Sequence, residues 1–129
     1  MSMHLNDTKV VGNLVRDPEI RQTPKGTPVT SITLGVNESY TVDDEKRKAT
    51  TFVDVQTWGP NAENLAKLAK KGQEIFVEGA LRQDQWEDKE SGQKRSKLFI
   101  KANSWQFTQY RIAEEMRQAA RAQTPGIER

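Results

Sequence analysis

The chain has no cysteine among its 129 residues, which excludes disulfides, thiolate metal sites and cysteine nucleophiles. It has a single histidine, His4, close to the N-terminus and with no partner in a catalytic pattern. No apolar run approaches the roughly 20 residues that a membrane-spanning helix requires. The opening "MSMHLNDTK" lacks the basic-then-apolar build of a secretory signal, so a cytoplasmic location is expected. Charge of one sign is also scarce. Twenty basic and eighteen acidic residues leave a formal charge of +2, too little to identify a polyanionic partner by itself. There is no glycine-rich phosphate loop with its lysine, and hence no basis for nucleotide hydrolysis. The acidic groups "DDE" (43–45) and "EDKE" (87–90) lie beside lysines and read as solvated loops rather than as cation sites. The chain is therefore expected to be no enzyme and to need no metal or cofactor.

What is present is a series of β-patterned segments. "KVVGNLV" (9–15) is a short apolar run closed by Asp17-Pro18, a turn signal. "TPKG" (23–26) has turn chemistry, with Gly26 at a position suited to positive φ. "VTSITLGVN" (29–37) alternates, placing Ile32, Leu34 and Val36 on one face. "TTFVDVQTWG" (50–59) alternates again: Val53, Val55 and Thr57 share one face, and Phe52, Asp54, Gln56 and Trp58 share the other. "GPNAENLAKLAKKG" predicts a short helix with Pro60 in its first turn, an apolar stripe of Ala62, Leu65, Ala66, Leu68 and Ala69, and Gly72 as its stop. "QEIFVEGAL" (73–81) and "LFIKANSWQF" (98–107) complete the set, the first with Ile75, Val77 and Leu81 on one side. Two charged stretches, "TVDDEKRKAT" and "QDQWEDKESGQKRSK", read as long polar loops.

Three strands, a helix and two strands is the order of an OB-fold. The expectation is an all-β, five-stranded Greek-key barrel with one short helix between strands 3 and 4 and long β-hairpin loops. With the valines filling the barrel, Phe52 and Trp58 project from the opposite face. Large rings left half wet on a polar face are suited to stacking on unpaired bases.

The stretches "GNLVRDPEIRQTPKGTPVTSITLGVNESY" and "LAKKGQEIFVEGALRQDQWEDKESGQKRS" closely resemble the bacterial single-stranded DNA-binding protein family (SSB), and the likeness runs from about Lys9 to Phe107. The resemblance implies an OB-fold that wraps single-stranded DNA during replication, recombination and repair, commonly as a homotetramer, in the bacterial cytoplasm at the nucleoid. It implies stacking by Tyr40, Phe52, Trp58 and Trp86, with Tyr40 and Phe52 standing where many members have tryptophan. Val53 stands where some relatives carry a histidine that helps to join subunits. Lys9, Arg21, Lys25, Lys67, Lys71 and Arg82 fall at or near positions that line the family's DNA path. Lys48, in the first charged stretch, and Lys94, Arg95 and Lys97, opposite Trp86, complete the candidate phosphate contacts. Trp105 and Phe107 receive no DNA role from the resemblance and are expected to pack or to join subunits. Rival readings are a primosomal OB-fold accessory protein and an OB-type interaction module without nucleic acid.

Residues 1–108 are thus expected to form the binding domain and 109–129 a short tail, partly helical (Ile112, Met116 and Ala119 share a helical face) or disordered. Family members commonly end in a flexible linker and an acidic tip that recruits replication and repair proteins. Residues 109–129 instead hold four arginines and three glutamates, so recruitment of partners through the tail is not expected.

Overall fold

The computed structural model describes residues 2–109. Its elements are β1 (Thr8–Leu14), β2 (Glu19–Gln22), β3 (Pro28–Val42), β4 (Glu45–Trp58), α1 (Pro60–Leu68), β5 (Glu74–Glu87) and β6 (Lys94–Phe107). The strands lie in the order β1-β5-β6-β4-β3-β2, and a further pairing of β1 with β3 closes five of them into a barrel. Closure leaves little free edge compared with an open sheet: residues 8–12 of β1, and β2, pair on one side only. This is the OB-fold expected from the sequence, with the helix between the third and fourth barrel strands. β2 is an addition. Its four residues are all exposed and pair only with β3, so they carry no apolar pattern by which a strand could be read.

The barrel interior is filled by Leu14, Ile32, Leu34, Val55, Ile75, Val77, Ile100 and Ala102, together with Leu65 and Ala69 from the helix end. Alternation along β3 and β4 is what delivers these side chains to one side: Ile32 pairs with Val55, and Leu34 with Val53. Two threonines are buried with them, and both hydroxyls are satisfied. Thr30 Oγ1 donates to the Ala62 carbonyl at 2.6 Å, tying α1 to the barrel, and Thr57 Oγ1 donates to the Ala102 carbonyl at 3.3 Å. Such partners remove the cost of about 1–3 kcal/mol that an orphaned buried hydroxyl would carry.

α1 begins at Pro60, as the sequence suggests, but it ends at Leu68 rather than near Gly72. Ala69 adopts an extended conformation (φ −92°, ψ 147°) and turns into the core, while Leu68 is left exposed. Gly72, at φ 92°, serves the turn into β5.

The two charged stretches are not loops. β3 and β4 continue as a two-stranded ribbon out to the pair Val42–Glu45, and β5 and β6 do so to Glu87–Lys94. A ribbon satisfies its backbone hydrogen bonds between its own two strands, so it needs no apolar face. The first ribbon turns on two residues, Asp43 and Asp44, with φ of 50° and 64°. Positive φ at both positions matches the twist of the flanking strands and is tolerated by aspartate. Asp44→Gly is expected to stabilise this tip by about 0.5–1 kcal/mol, because glycine carries no left-handed penalty. Slower amide exchange at Val42 and Glu45, with exchange in the barrel core unchanged, is the check.

A bulge shapes the last strand. Glu78 pairs with Ser104 but Gly79 with Ala102, so Asn103 is the extra residue. The bulge reverses side-chain parity. Trp105 and Phe107 therefore do not share the face of Lys101, as simple alternation implies, but pack against the core and meet each other edge-to-face, their ring centroids 5.1 Å apart. The Trp105 indole N–H donates to the Asn61 carbonyl at 3.3 Å. Packing is their role within the chain. Leu81 stays on the side of Ile75 and Val77, opposite the buried Ile100, but is itself exposed where β5 runs out into the ribbon. Among the described residues no helix is long and apolar enough to cross a membrane.

Candidate nucleic-acid interface

The outer wall of β4 carries Phe52, Asp54, Gln56 and Trp58, and the register shows what lies beside each. Trp58 pairs with Val29, which in turn pairs with Arg21 of β2. Val29 is buried between them, so the indole is partly covered and rests on an apolar footing. On its other side the ammonium of Lys101 stands 5.1 Å from the ring centroid. A cation over a ring face is attracted by the ring quadrupole and here also adds positive charge at the wall.

Phe52 is placed differently. Its cross-strand partner is Gly35, which offers no side chain to cover the ring, and Phe52 is 67% exposed. A phenyl so open to water, on a chain with an intact core elsewhere, is a ready stacking surface.

Tyr40 and Trp86 stand on the ribbons. Tyr40 pairs with Arg47 near the end of the β3–β4 ribbon and is 46% exposed. Trp86 pairs with Arg95 on the β5–β6 ribbon and is 47% exposed. Lys94 and Arg95 line a surface hollow with Trp86, so a ring and two cations lie together here, beside the carboxylate of Glu87. Asp88 holds the ribbon's tip. Its carboxylate accepts from the Glu90 backbone N–H at 2.9 Å and from Arg95 Nε at 3.0 Å. The backbone hydrogen bond from Glu90, ahead of the Arg95 contact, keeps the Asp88 carboxyl below the usual carboxylate range.

The candidate phosphate contacts are brought together only in part. Arg21 flanks Trp58, and Lys94 and Arg95 flank Trp86. Lys97 pairs with Asp54 at 3.7 Å. Arg82 is on β5 opposite Phe99, and Lys48 on β4 opposite Ser39. Lys25 lies in the turn before β3, Lys67 in the last turn of α1, and Lys71 just beyond it, its backbone N–H held by Asp17 Oδ1 at 2.8 Å. Lys9 is engaged already. It contacts Asp7 at 2.7 Å and Glu78 at 3.3 Å, and these hydrogen bonds, Asp7 first, raise its pKa. One member of the wall escapes a reading by sequence, Lys101; Asp54 lies on the expected outer face, and only its bond to Thr33 is new. The parallel pairing of Gln56 with Lys101 brings β6 against β4, and no local pattern announces it.

The comparisons with known proteins agree with this architecture. The model of the single-strand binding protein family matches residues 5–108. The chain is 37% identical to single-stranded DNA-binding protein 1 of Synechocystis over 102 residues, covering 79% of this chain and 82% of that protein. It is 39% identical to single-stranded DNA-binding protein A of Bacillus subtilis, over 80% of this chain and 59% of that one. With the Thermus thermophilus single-stranded DNA-binding protein the identity is 43%, over 76% of this chain but only 35% of the relative. The chain thus spans a third to four-fifths of the length of these relatives. The crystal structure of a deletion mutant of the single-stranded DNA binding protein from Thermus aquaticus superposes with a TM-score of 0.71 at 32% identity, over 80% of this chain and 50% of that one. Closed barrel, helix position and a family match across most of the sequence lead to one conclusion: the chain belongs to the single-strand binding protein family.

Proposed function

We propose that the chain binds single-stranded DNA and has no catalytic activity, residues 1–108 acting as the binding domain. Phe52, Trp58, Trp86 and Tyr40 stack on bases. Arg21, Lys48, Arg82, Lys94, Arg95 and Lys97, with Lys25, Lys67, Lys71 and Lys9 nearer the periphery, attract the backbone. Every base has a π-face, so stacking supplies affinity without strong sequence preference. The observation that carries this reading is the outward projection of large rings from a barrel whose interior is already filled by aliphatic side chains. Held this way, a strand is kept from pairing and is protected during replication, recombination and repair in the bacterial cytoplasm.

A homotetramer, a dimer of dimers, would multiply the wrapping surface. What supports assembly is β1, which pairs with β3 only at Asn13 and Leu14, so the edge of residues 8–12 is open and Val11 is exposed beside it. Mass measurement in solution tests this.

Titration with oligo(dT) is expected to quench the tryptophan fluorescence. The logarithm of the affinity should fall with the logarithm of the salt concentration by about 0.7 for each phosphate neutralised. Unchanged fluorescence and no salt-sensitive binding would leave a protein-interaction barrel as the better reading.

A further inference from the structure

The tip of the β5–β6 ribbon is exposed, yet it is held by a closed set of hydrogen bonds. The Asp88 N–H donates to the Gln93 carbonyl and the Gly92 N–H donates back to the Asp88 carbonyl, each at 2.8 Å. The Asp88 carboxylate is tied as well. Oδ1 accepts from the Glu90 backbone N–H at 2.9 Å, and Oδ2 accepts from Arg95 Nε at 3.0 Å. Arg95 stands directly across the ribbon from Trp86, so the indole and the guanidinium stem project from one face. Glu87 faces Lys94 in the next pair, where the two charges offset each other.

Which donor of Arg95 is taken decides what is left. A guanidinium carries five N–H donors, one on Nε and four on the two terminal nitrogens. Asp88 takes the Nε donor, and among the described residues neither terminal nitrogen of Arg95 has a hydrogen-bond or ion-pair partner. One carboxylate on Nε thus fixes the guanidinium plane. It leaves open the edge of the fork that pairs with a phosphate in bidentate fashion.

We infer that Asp88 is a positioning residue for DNA binding: it aims the free edge of Arg95 at the backbone of the strand whose base stacks on Trp86. The inference rests on the single-stranded DNA reading above and names the residue that prepares the Trp86 arm. An acidic side chain this close to a polyanion lowers the affinity by repulsion if it does nothing else. Here the carboxylate orders in advance a long side chain that otherwise has to be ordered as the DNA arrives. Ordering one such side chain costs about two- to tenfold in affinity, and preorganisation in the free protein removes that cost. The pair is too exposed to add much to folding stability, so its effect falls on binding.

The test is the sign of the change in Asp88→Asn. Asparagine keeps an oxygen for the Glu90 N–H, and with it the turn, but sets an amide N–H against Arg95 Nε, donor against donor. Affinity for labelled oligo(dT), measured by anisotropy at one fixed salt concentration, is expected to fall about two- to tenfold although a negative charge has been removed. In an Arg95→Gln background the same substitution should leave the affinity unchanged or raise it slightly, because no guanidinium remains to be aimed. The unfolding midpoint of Asp88→Asn should match wild type. A variant that binds as tightly as wild type, or more tightly, makes Asp88 a repelling charge only and overturns the assignment. An equal loss in both backgrounds overturns it too, since Asp88 would then act through the turn and not through Arg95. If wild type does not bind oligo(dT) at all, the DNA reading itself falls, and the absent signal tells the two failures apart.

Discussion

Replacing Phe52 and Trp86 together by alanine is expected to weaken binding to single-stranded DNA by about 2–6 kcal/mol, roughly thirtyfold to twenty-thousandfold. Each stacked base contributes on the order of 1–3 kcal/mol by alanine substitution. The two rings stand on different parts of the barrel, Phe52 on the wall and Trp86 on a ribbon, and share no partner, so their losses should add. Neither belongs to the buried core: they are 67% and 47% exposed. Thermal unfolding of the double variant should therefore stay within a few degrees of wild type, which separates a lost contact from a lost fold. Trp58→Ala offers a contrast. Its indole covers Val29 and carries Lys101 over its face, so that variant is expected to lose both affinity and stability. Anisotropy with labelled oligo(dT), read beside the unfolding curves, distinguishes the two patterns. A double variant that binds as tightly as wild type would remove stacking on these rings from the mechanism.

The division of β4 into two faces was legible because it is a local property. A period of two is written into Phe52 through Trp58, and once the valines are assigned to the interior the rings must point out. The barrel order followed for a related reason, since each strand and the helix carry their own apolar pattern. What the sequence hid depends on pairing between distant residues. The charged ribbons look like loops because their strands bury nothing and answer each other's hydrogen bonds. β2 looks like nothing, four exposed residues held by a neighbour. The bulge at Asn103 reverses the parity of Trp105 and Phe107, which simple alternation places beside Lys101. With that parity concealed, alternation alone groups Lys101 with Trp105 and Phe107, although the parallel pairing of β4 and β6 sets it against Trp58. Asp54 was visible on the right face from the start. Its bond to Thr33, and the apolar groove next to it, exist only once the five barrel strands are assembled. The tail helix suggested by Ile112, Met116 and Ala119 lies outside the described residues.

Gly79→Ala is expected to cost about 3 kcal/mol or more, because the new methyl group would meet backbone rather than side chain. Gly79 is buried at the bulge, opposite Ala102 of β6. A Cβ there would collide with the Lys101 carbonyl oxygen and stand 2.8 Å from the Ala102 Cα. No rotamer relieves such a contact. Either the strands separate locally or the bulge moves. Gly35→Ala is the control. Its Cβ would approach the Val15 Cγ1 at 3.3 Å, a side-chain atom that can give way, and the loss should be smaller. At several degrees per kcal/mol for a domain of this size, Gly79→Ala should lower the unfolding midpoint by roughly 12 °C or more. The same substitution reaches the binding surface by a second route. Lys101, whose carbonyl is struck, carries the cation over Trp58, and β5 beyond the bulge carries Trp86. At a temperature where the variant is still folded, its affinity for oligo(dT) should therefore fall although no DNA-facing side chain has changed. An unfolding midpoint equal to wild type would mean that the two strands do not approach this closely. The positions of both Trp58's cation and the Trp86 arm would then have to be drawn again.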